Sequence, residues 1–229
     1  MKKTVLIVLL SLSSLNLFSQ LNKGKTVVSL DGNYLKTNTE NGVTSNYNAS
    51  QVKNLNLGAS VGYFIADRIE LGIGLNYYWE KESRTNKLMI TDFYQAEVMD
   101  LKSNGFLPHI YLGYYYPIVN RLYLSGKLKF GYGKIKSEYS TLIAGRSNTP
   151  SESSYSPPPY TTMSKDTYEV DLFNAEIIPE LTWFISPKVG LSLGLGGVKH
   201  TMIDWETDNS SWSVNFDPAY WNFGFKIRL

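Results

Sequence analysis

The 229-residue chain predicts an all-β fold of eight antiparallel strands in up-and-down order, on three observations. Apolar residues return at every second position in segment after segment, the period of a strand with two unlike faces. Three corners repeat one pattern, Tyr63-Phe64-Ile65-Ala66-Asp67-Arg68, Tyr116-Pro117-Ile118-Val119-Asn120-Arg121 and Trp183-Phe184-Ile185-Ser186-Pro187-Lys188, each running into an alternating apolar stretch. Longer polar stretches separate these tight corners in strict alternation. Past residue 20 no segment carries the 3.6-residue apolar period that a surface helix requires.

The first element is a leader. Lys2 and Lys3 precede a short apolar run, Val5 to Leu12, and a Ser- and Leu-rich stretch ending at Leu17-Phe18-Ser19-Gln20. This reads as a secretory signal peptide over 1–20, because the run is too short for a membrane span of about 20 residues. No Cys follows it to carry a lipid anchor, and the whole chain has none, so disulfides and thiol chemistry are excluded. The chain holds 22 basic and 20 acidic residues, and loss of Lys2 and Lys3 with the leader brings the two into balance. No basic field for nucleic acid remains.

Strands are expected over 25–36, 52–64, 69–81, 105–116, 122–136, 167–184, 189–200 and 215–229. In the second, Leu55, Leu57, Ala59, Val61 and Tyr63 oppose Asn56, Gly58, Ser60 and Gly62. In the third, Ile69, Leu71, Ile73, Leu75, Tyr77 and Trp79 oppose Glu70, Gly72, Gly74, Asn76 and Tyr78. The fifth sets Leu122, Leu124, Leu128, Phe130 and Tyr132 against Tyr123, Ser125, Lys127, Lys129 and Gly131. In the seventh, Val189, Leu191, Leu193 and Leu195 oppose Gly190, Ser192 and Gly194. In the eighth, Trp221, Phe223, Phe225, Ile227 and Leu229 oppose Asn222, Gly224, Lys226 and Arg228. Short turns fall at 65–68, 117–121 and 185–188. Long polar loops are expected near 37–51, 82–104, 137–166 and 201–214, the third with a mobile Ser/Pro-rich stretch at 147–160.

Three tight turns with both termini at one end make an eight-stranded meander. One face of each strand is Leu, Ile, Val and Phe, and the other is Gly, Ser, Asn, Tyr, Lys and Glu. A closed eight-stranded barrel has room inside for small and polar residues. The apolar rows then face outward, which only lipid makes favourable, and a closed ladder satisfies every backbone group there. The fold class is therefore an all-β, eight-stranded antiparallel up-and-down transmembrane β-barrel, one domain over 21–229.

Three groups of residues stand out on this reading. Glu70, Lys127, Lys129, Glu176, Glu180, Lys226 and Arg228 fall on the polar face and form a lumen charge cluster. Lys127 or Lys129 should pair with Glu176 or Glu180 across neighbouring strands, since buried charges require partners. Tyr63, Tyr116, Trp183 and Trp79, with Tyr78 and Tyr114 further along neighbouring strands, supply aromatic girdles at the edges of the hydrocarbon. The terminal row Trp221, Phe223, Phe225, Ile227 and Leu229 is the third group.

With its leader, its alternation of short turns and long loops, and its terminal Trp221-Asn222-Phe223-Gly224-Phe225-Lys226-Ile227-Arg228-Leu229, the chain resembles the small eight-stranded outer-membrane barrels of the OmpA-transmembrane-domain and OmpX type. PorT-like barrels share the architecture. The resemblance covers about 25–229 and implies an outer-membrane location, membrane lipid as partner, and insertion by the barrel-assembly machinery. It marks the terminal row as the assembly signal. That signal usually closes on an aromatic, whereas this chain closes on Leu229. No peptidoglycan-binding domain is expected after it.

The chain's two histidines, His109 on the polar face of the fourth strand and His200 near the outer end of the seventh, are the candidates for a lipid-modifying barrel enzyme. No nucleophile elbow or triad spacing accompanies them, so catalysis is not expected. Gly194-Leu195-Gly196-Gly197 lacks the helix a dinucleotide motif needs. Asp204, Glu206 and Asp208 lack the constrained spacing of a calcium loop. The sequence thus predicts no cofactor and no metal. It predicts a non-enzymatic structural, adhesive or binding role carried by the outer loops, with a narrow porin-like channel as the alternative.

Overall fold

The computed structural model describes residues 21–43, 46–90, 93–147, 160–203 and 209–229. The leader, most of the Ser/Pro-rich stretch, and Asp204, Glu206 and Asp208 lie outside them. The strands are β1 (Thr26–Val43), β2 (Asn46–Ala66), β3 (Ile69–Ile90), β4 (Phe93–Val119), β5 (Leu122–Ser147), β6 (Tyr160–Phe184), β7 (Val189–Gly194), β8 (Gly197–Ile203), β9 (Asn209–Asn215) and β10 (Asn222–Arg228). Every pairing is antiparallel. β1 to β6 pair in chain order, β6 pairs with both β7 and β8, β8 with β9, β7 with β10, and β10 with β1.

The corners are built by local chemistry. Arg68 and Arg121 both take φ 66°. Each follows a residue that starts the turn, Asp67 or Asn120, and each sits beside a register slip, at Phe64/Ala66 and Pro117/Val119. A left-handed residue closing a tight turn next to a bulge gives the strands their native twist. A non-glycine there costs about 1–2 kcal/mol. The third corner uses side-chain chemistry instead: Ser186 Oγ accepts from the backbone of Lys188 at 3.3 Å and of Val189 at 3.0 Å, and Pro187 fixes the chain direction.

All four stretches expected to be long loops are largely strand among the described residues, the fourth through the β8–β9 ladder that runs from Gly197↔Asn215 to Ile203↔Asn209. The β1–β2 ladder continues to Val43↔Asn46, β3–β4 to Ile90↔Phe93, and β5–β6 to Gly145↔Tyr160. In these extensions the two-residue apolar period stops while the backbone ladder does not: Thr37-Asn38-Thr39-Glu40 is polar on both faces, and Leu88-Met89-Ile90 is apolar at every position. Cross-strand pairs such as Lys165–Glu138 (3.5 Å) and Lys134–Glu169 (3.3 Å) accompany the extensions.

The seventh predicted strand is divided into β7 and β8, and β9 precedes the predicted eighth strand, lying almost wholly in the stretch expected as the fourth loop. Between β7 and β8, Gly196 and Gly197 have φ 81° and 153°, and a Cβ on either would run into a backbone carbonyl, that of Asn215 or of Ile177. Leu195 N bonds Pro179 O at 2.9 Å across this break. Between β9 and β10 a single 3₁₀ turn, Pro218–Tyr220, is capped by Asp217, which accepts from Ala219 N at 2.8 Å.

The buried residues form layers. At the corner end, Leu21, Val27, Phe64, Tyr115, Tyr123 and Phe184 cluster together. Leu21 is held there because Arg68 N donates to its carbonyl (2.9 Å) while Gly24 N bonds Phe64 O (2.9 Å). Further along, Leu107, Ile135 and Leu172 form a second cluster, with Tyr78 and Val170 against it. Tyr78 therefore belongs to the enclosed face, where its hydroxyl donates to Glu80 at 2.5 Å, and not to a girdle. The opposite faces of the same strands expose large apolar side chains, with Ile73 67% exposed and Phe223 69% exposed.

Candidate functional site

Between the two apolar layers lies a charged one. Alternation along β3, β4, β5, β6 and β10 points Glu70, Tyr111, Tyr115, Lys127, Glu180, Thr182 and Lys226 to the enclosed side, and the pairings bring these strands around to one another. Glu70, 1% exposed, accepts from the hydroxyls of Tyr111 and Tyr115, each at 2.5 Å. Glu180 is shared: Oε2 faces Lys127 Nζ at 2.9 Å, and Oε1 contacts Lys226 Nζ. Thr182 Oγ1 also donates to Glu180 at 2.8 Å. Lys226, 1% exposed, donates to Tyr115 Oη at 3.0 Å and lies 5.0 Å from the centre of that ring. Two carboxylates and two ammonium groups thus form one connected, charge-balanced network through Tyr115.

A second, smaller group lies along β5, β6 and β8. Glu176 stands between Lys129 Nζ at 3.7 Å and Lys199 Nζ at 3.4 Å, and Asn174 Nδ2 donates to it at 3.1 Å. Arg228 is half-buried at the corner end, 5.8 Å from the ring centre of Phe184.

Sequence reasoning missed Tyr111, Tyr115 and Thr182, although parity with Glu180 and His109 could have found them. Lys199 was hidden because the break at Gly196-Gly197 resets the alternation of the seventh predicted strand. It faces Glu176 directly in the register.

The two histidines are not brought together. His109 is buried on the enclosed face, its ring 6.2 Å from that of Tyr111. His200 pairs with Ala175 and Trp212, and its ring lies 4.5 Å from that of Trp212 on the opposite face. Among the described residues no three His, Cys, Asp or Glu side chains converge as metal ligands would. The polar interior holds its charges in fixed pairs, and the carboxylate that the Thr182 hydroxyl bonds to, Glu180, is already engaged by Lys127 and Lys226.

Tyr63, Tyr116 and Trp183 are exposed beside the corners, while Trp79 is half-buried toward the other end of the apolar rows. Tyr114 pairs with Ile69, one step from a corner, and so joins the corner-end group. Phe223, Phe225, Ile227 and Leu229 are exposed along β10 and its end, and Trp221 is half-buried.

No protein-family model matches the chain, and no curated protein sequence does. Among solved structures it is similar to the N-terminal β-barrel domain of Pseudomonas aeruginosa OprF, at 11% identity over 90% of this chain and 98% of that one, with a TM-score of 0.36. It is similar to the Pseudomonas aeruginosa outer membrane protein OprG at 10% identity, over 91% and 97% of the two chains, with a TM-score of 0.37. A chain of the RagAB peptide transporter matches at 9% identity and a TM-score of 0.34, over 73% of this chain and only 19% of that one.

Proposed function

We propose that the chain is an eight-stave barrel inserted in an outer membrane, a non-enzymatic anchor whose sheet beyond the lipid carries a structural, adhesive or binding role. In this reading β7 with β8, and β9 with β10, each count as one interrupted stave. The observation that carries it is the outward apolar rows. They run from the corners to Tyr34, Leu55, Trp79, Phe106, Tyr132 and Phe173 on successive strands, and polar residues follow each of these at the next outward positions. A soluble protein has no solvent that favours a full ring of such rows, whereas lipid does. Tyr63, Tyr116 and Trp183 then lie at the inner interface and Trp79 at the outer one. The terminal row from Trp221 to Leu229 serves the assembly machinery during insertion, after removal of the 1–20 leader.

The enclosed charges act as a plug. The Glu70–Glu180 network and the corner-end cluster of Leu21, Phe64, Tyr115, Tyr123 and Phe184 lie across the interior, which supports a sealed anchor over a channel. The separation of His109 from His200 on opposite faces speaks against a catalytic pair. The test is refolding into lipid vesicles. The protein should float with the vesicles and migrate differently before and after boiling in detergent gels. Liposomes loaded with it should not swell in small sugars. A protein that stays in the aqueous fraction overturns the membrane reading, and rapid swelling moves the channel ahead.

A further inference from the structure

Just beyond the apolar rows, four lysines stand directly opposite one another. The registers pair Lys36 with Lys53, Lys53 with Lys81, and Lys81 with Lys102, across β1, β2, β3 and β4. All four share the parity of the outward apolar residues on their strands. The row below them is Tyr34, Leu55, Trp79 and Asn104, and the row above is Asn38, Gln51, Ser83 and Asp100. Like charges directly opposite on one face destabilise a sheet. Elsewhere on this outward face lysines are matched, Lys134 with Glu169 and Lys165 with Glu138. Among the described residues none of the four row lysines has a carboxylate within ion-pairing distance.

We propose that this lysine row is a binding site for the phosphate groups of an outer-leaflet lipid that carries at least two of them. The proposal rests on the membrane reading above. Three strand spacings of about 4.8 Å give the row a span of about 14 Å, more than one phosphate can bridge. Barrel strands tilt by about 40°, so the row climbs through the headgroup layer and does not run level. An ammonium held one outward position beyond Leu55 and Trp79 meets the phosphate while those side chains stay with the acyl chains. The bound anions remove the repulsion that the sequence otherwise leaves uncompensated.

The experiment compares the wild-type chain with Lys53→Gln/Lys81→Gln, and with Lys134→Gln as a control on the same face. Each is refolded into neutral phosphatidylcholine vesicles with and without lipid A bearing two phosphates, or with its dephosphorylated form. The double variant should unfold at a higher urea concentration than wild type in neutral vesicles, since repulsion is relieved. In lipid A vesicles the order should invert. Retention of diphosphorylated lipid A after detergent extraction should fall at least tenfold in the double variant and stay unchanged in Lys134→Gln. Equal retention by wild type and double variant overturns the proposal. So does equal retention of phosphorylated and dephosphorylated lipid, or displacement of the lipid by millimolar inorganic phosphate, which assigns the row to the free anion. Failure to float with vesicles or to shift on heating overturns the membrane reading instead, so the two failures are separate.

Discussion

Replacing Glu180 by Gln should be among the most damaging single changes in this protein. Glu180 is 6% exposed and is the shared partner of Lys127 and Lys226. The substitution keeps the volume and one hydrogen-bond acceptor but leaves two ammonium groups facing each other, with only Glu70 to balance them. Breaking a buried pair by removing one partner costs about 3–5 kcal/mol, and here one removal breaks two pairs, so the upper end of that range is expected. The recovery is more diagnostic than the loss. Lys226 is 1% exposed, while the Lys127 side chain is 13% exposed. Stranding Lys226 is therefore the larger part of the penalty. Glu180→Gln/Lys226→Met should recover more than half of the loss, and Glu180→Gln/Lys127→Met clearly less. Urea unfolding in lipid vesicles, followed by tryptophan fluorescence, measures both cycles. Coupling below about 0.5 kcal/mol for both lysines is the scatter expected of independent sites, and would refute the idea of one shared, dry network.

Four further outcomes follow from the same geometry. Ile73→Arg, on the most exposed part of the β3 outward row, should cost about 2–4 kcal/mol in vesicles if it lies near the bilayer midplane, and unchanged stability there would mean the outward face does not meet lipid. Gly62→Ala should destabilise by about 1–3 kcal/mol, because its Cβ meets the Glu70 carboxylate and the Tyr111 hydroxyl; a neutral result in the same unfolding assay would show that this pair can move aside. Single cysteines at Asp67 and Asn120 should resist a membrane-impermeant maleimide on intact cells while one at Thr39 reacts, and the opposite pattern inverts the topology. Phe64→Ala/Tyr123→Ala should raise conductance across planar bilayers above the wild-type level, and an unchanged current would place the seal higher, in the charged layer.

Much of this fold was legible because the alternation was. Leu, Ile and Phe at every second position set the face of each strand, and parity alone put Lys127, Lys129, Glu176 and Glu180 on one side. The structure pairs Lys127 with Glu180 and Lys129 with Glu176. What parity could not give was the third partner. Lys226 reaches Glu180 from β10, two strands from β6, and only the return of the pairings from β6 through β7 to β10 places it there. Tyr111 and Tyr115 were passed over because an aromatic on a polar face reads as filler until its hydroxyl is seen on a carboxylate. The strand extensions were missed for another reason. Once the apolar alternation stops, that signal is gone, while backbone pairing and the Gln51 Nε2 bond to Asn38 Oδ1 at 3.0 Å hold Lys36 to Val43 in line with β2. The row of lysines is a product of register, and register is invisible in the sequence of any one strand.

The join between β1 and β10 spans six residue pairs, from Val27↔Arg228 to Gly32↔Phe223, whereas β1 meets β2 along its whole length. Beyond Gly32 the free edge of β1 and that of β9 have no pairing with each other among the described residues. The join also unites the two most distant parts of the chain, so its loop-closure entropy is the largest in the fold and its reward in hydrogen bonds among the smallest. It is the last contact to form as the sheet curls shut and the first to be lost. Amide exchange should be fastest there while β2 to β5 remain protected. The molecule is a sturdy curved sheet with a short clasp, and on the membrane reading proposed above the clasp sets its lifetime in the bilayer.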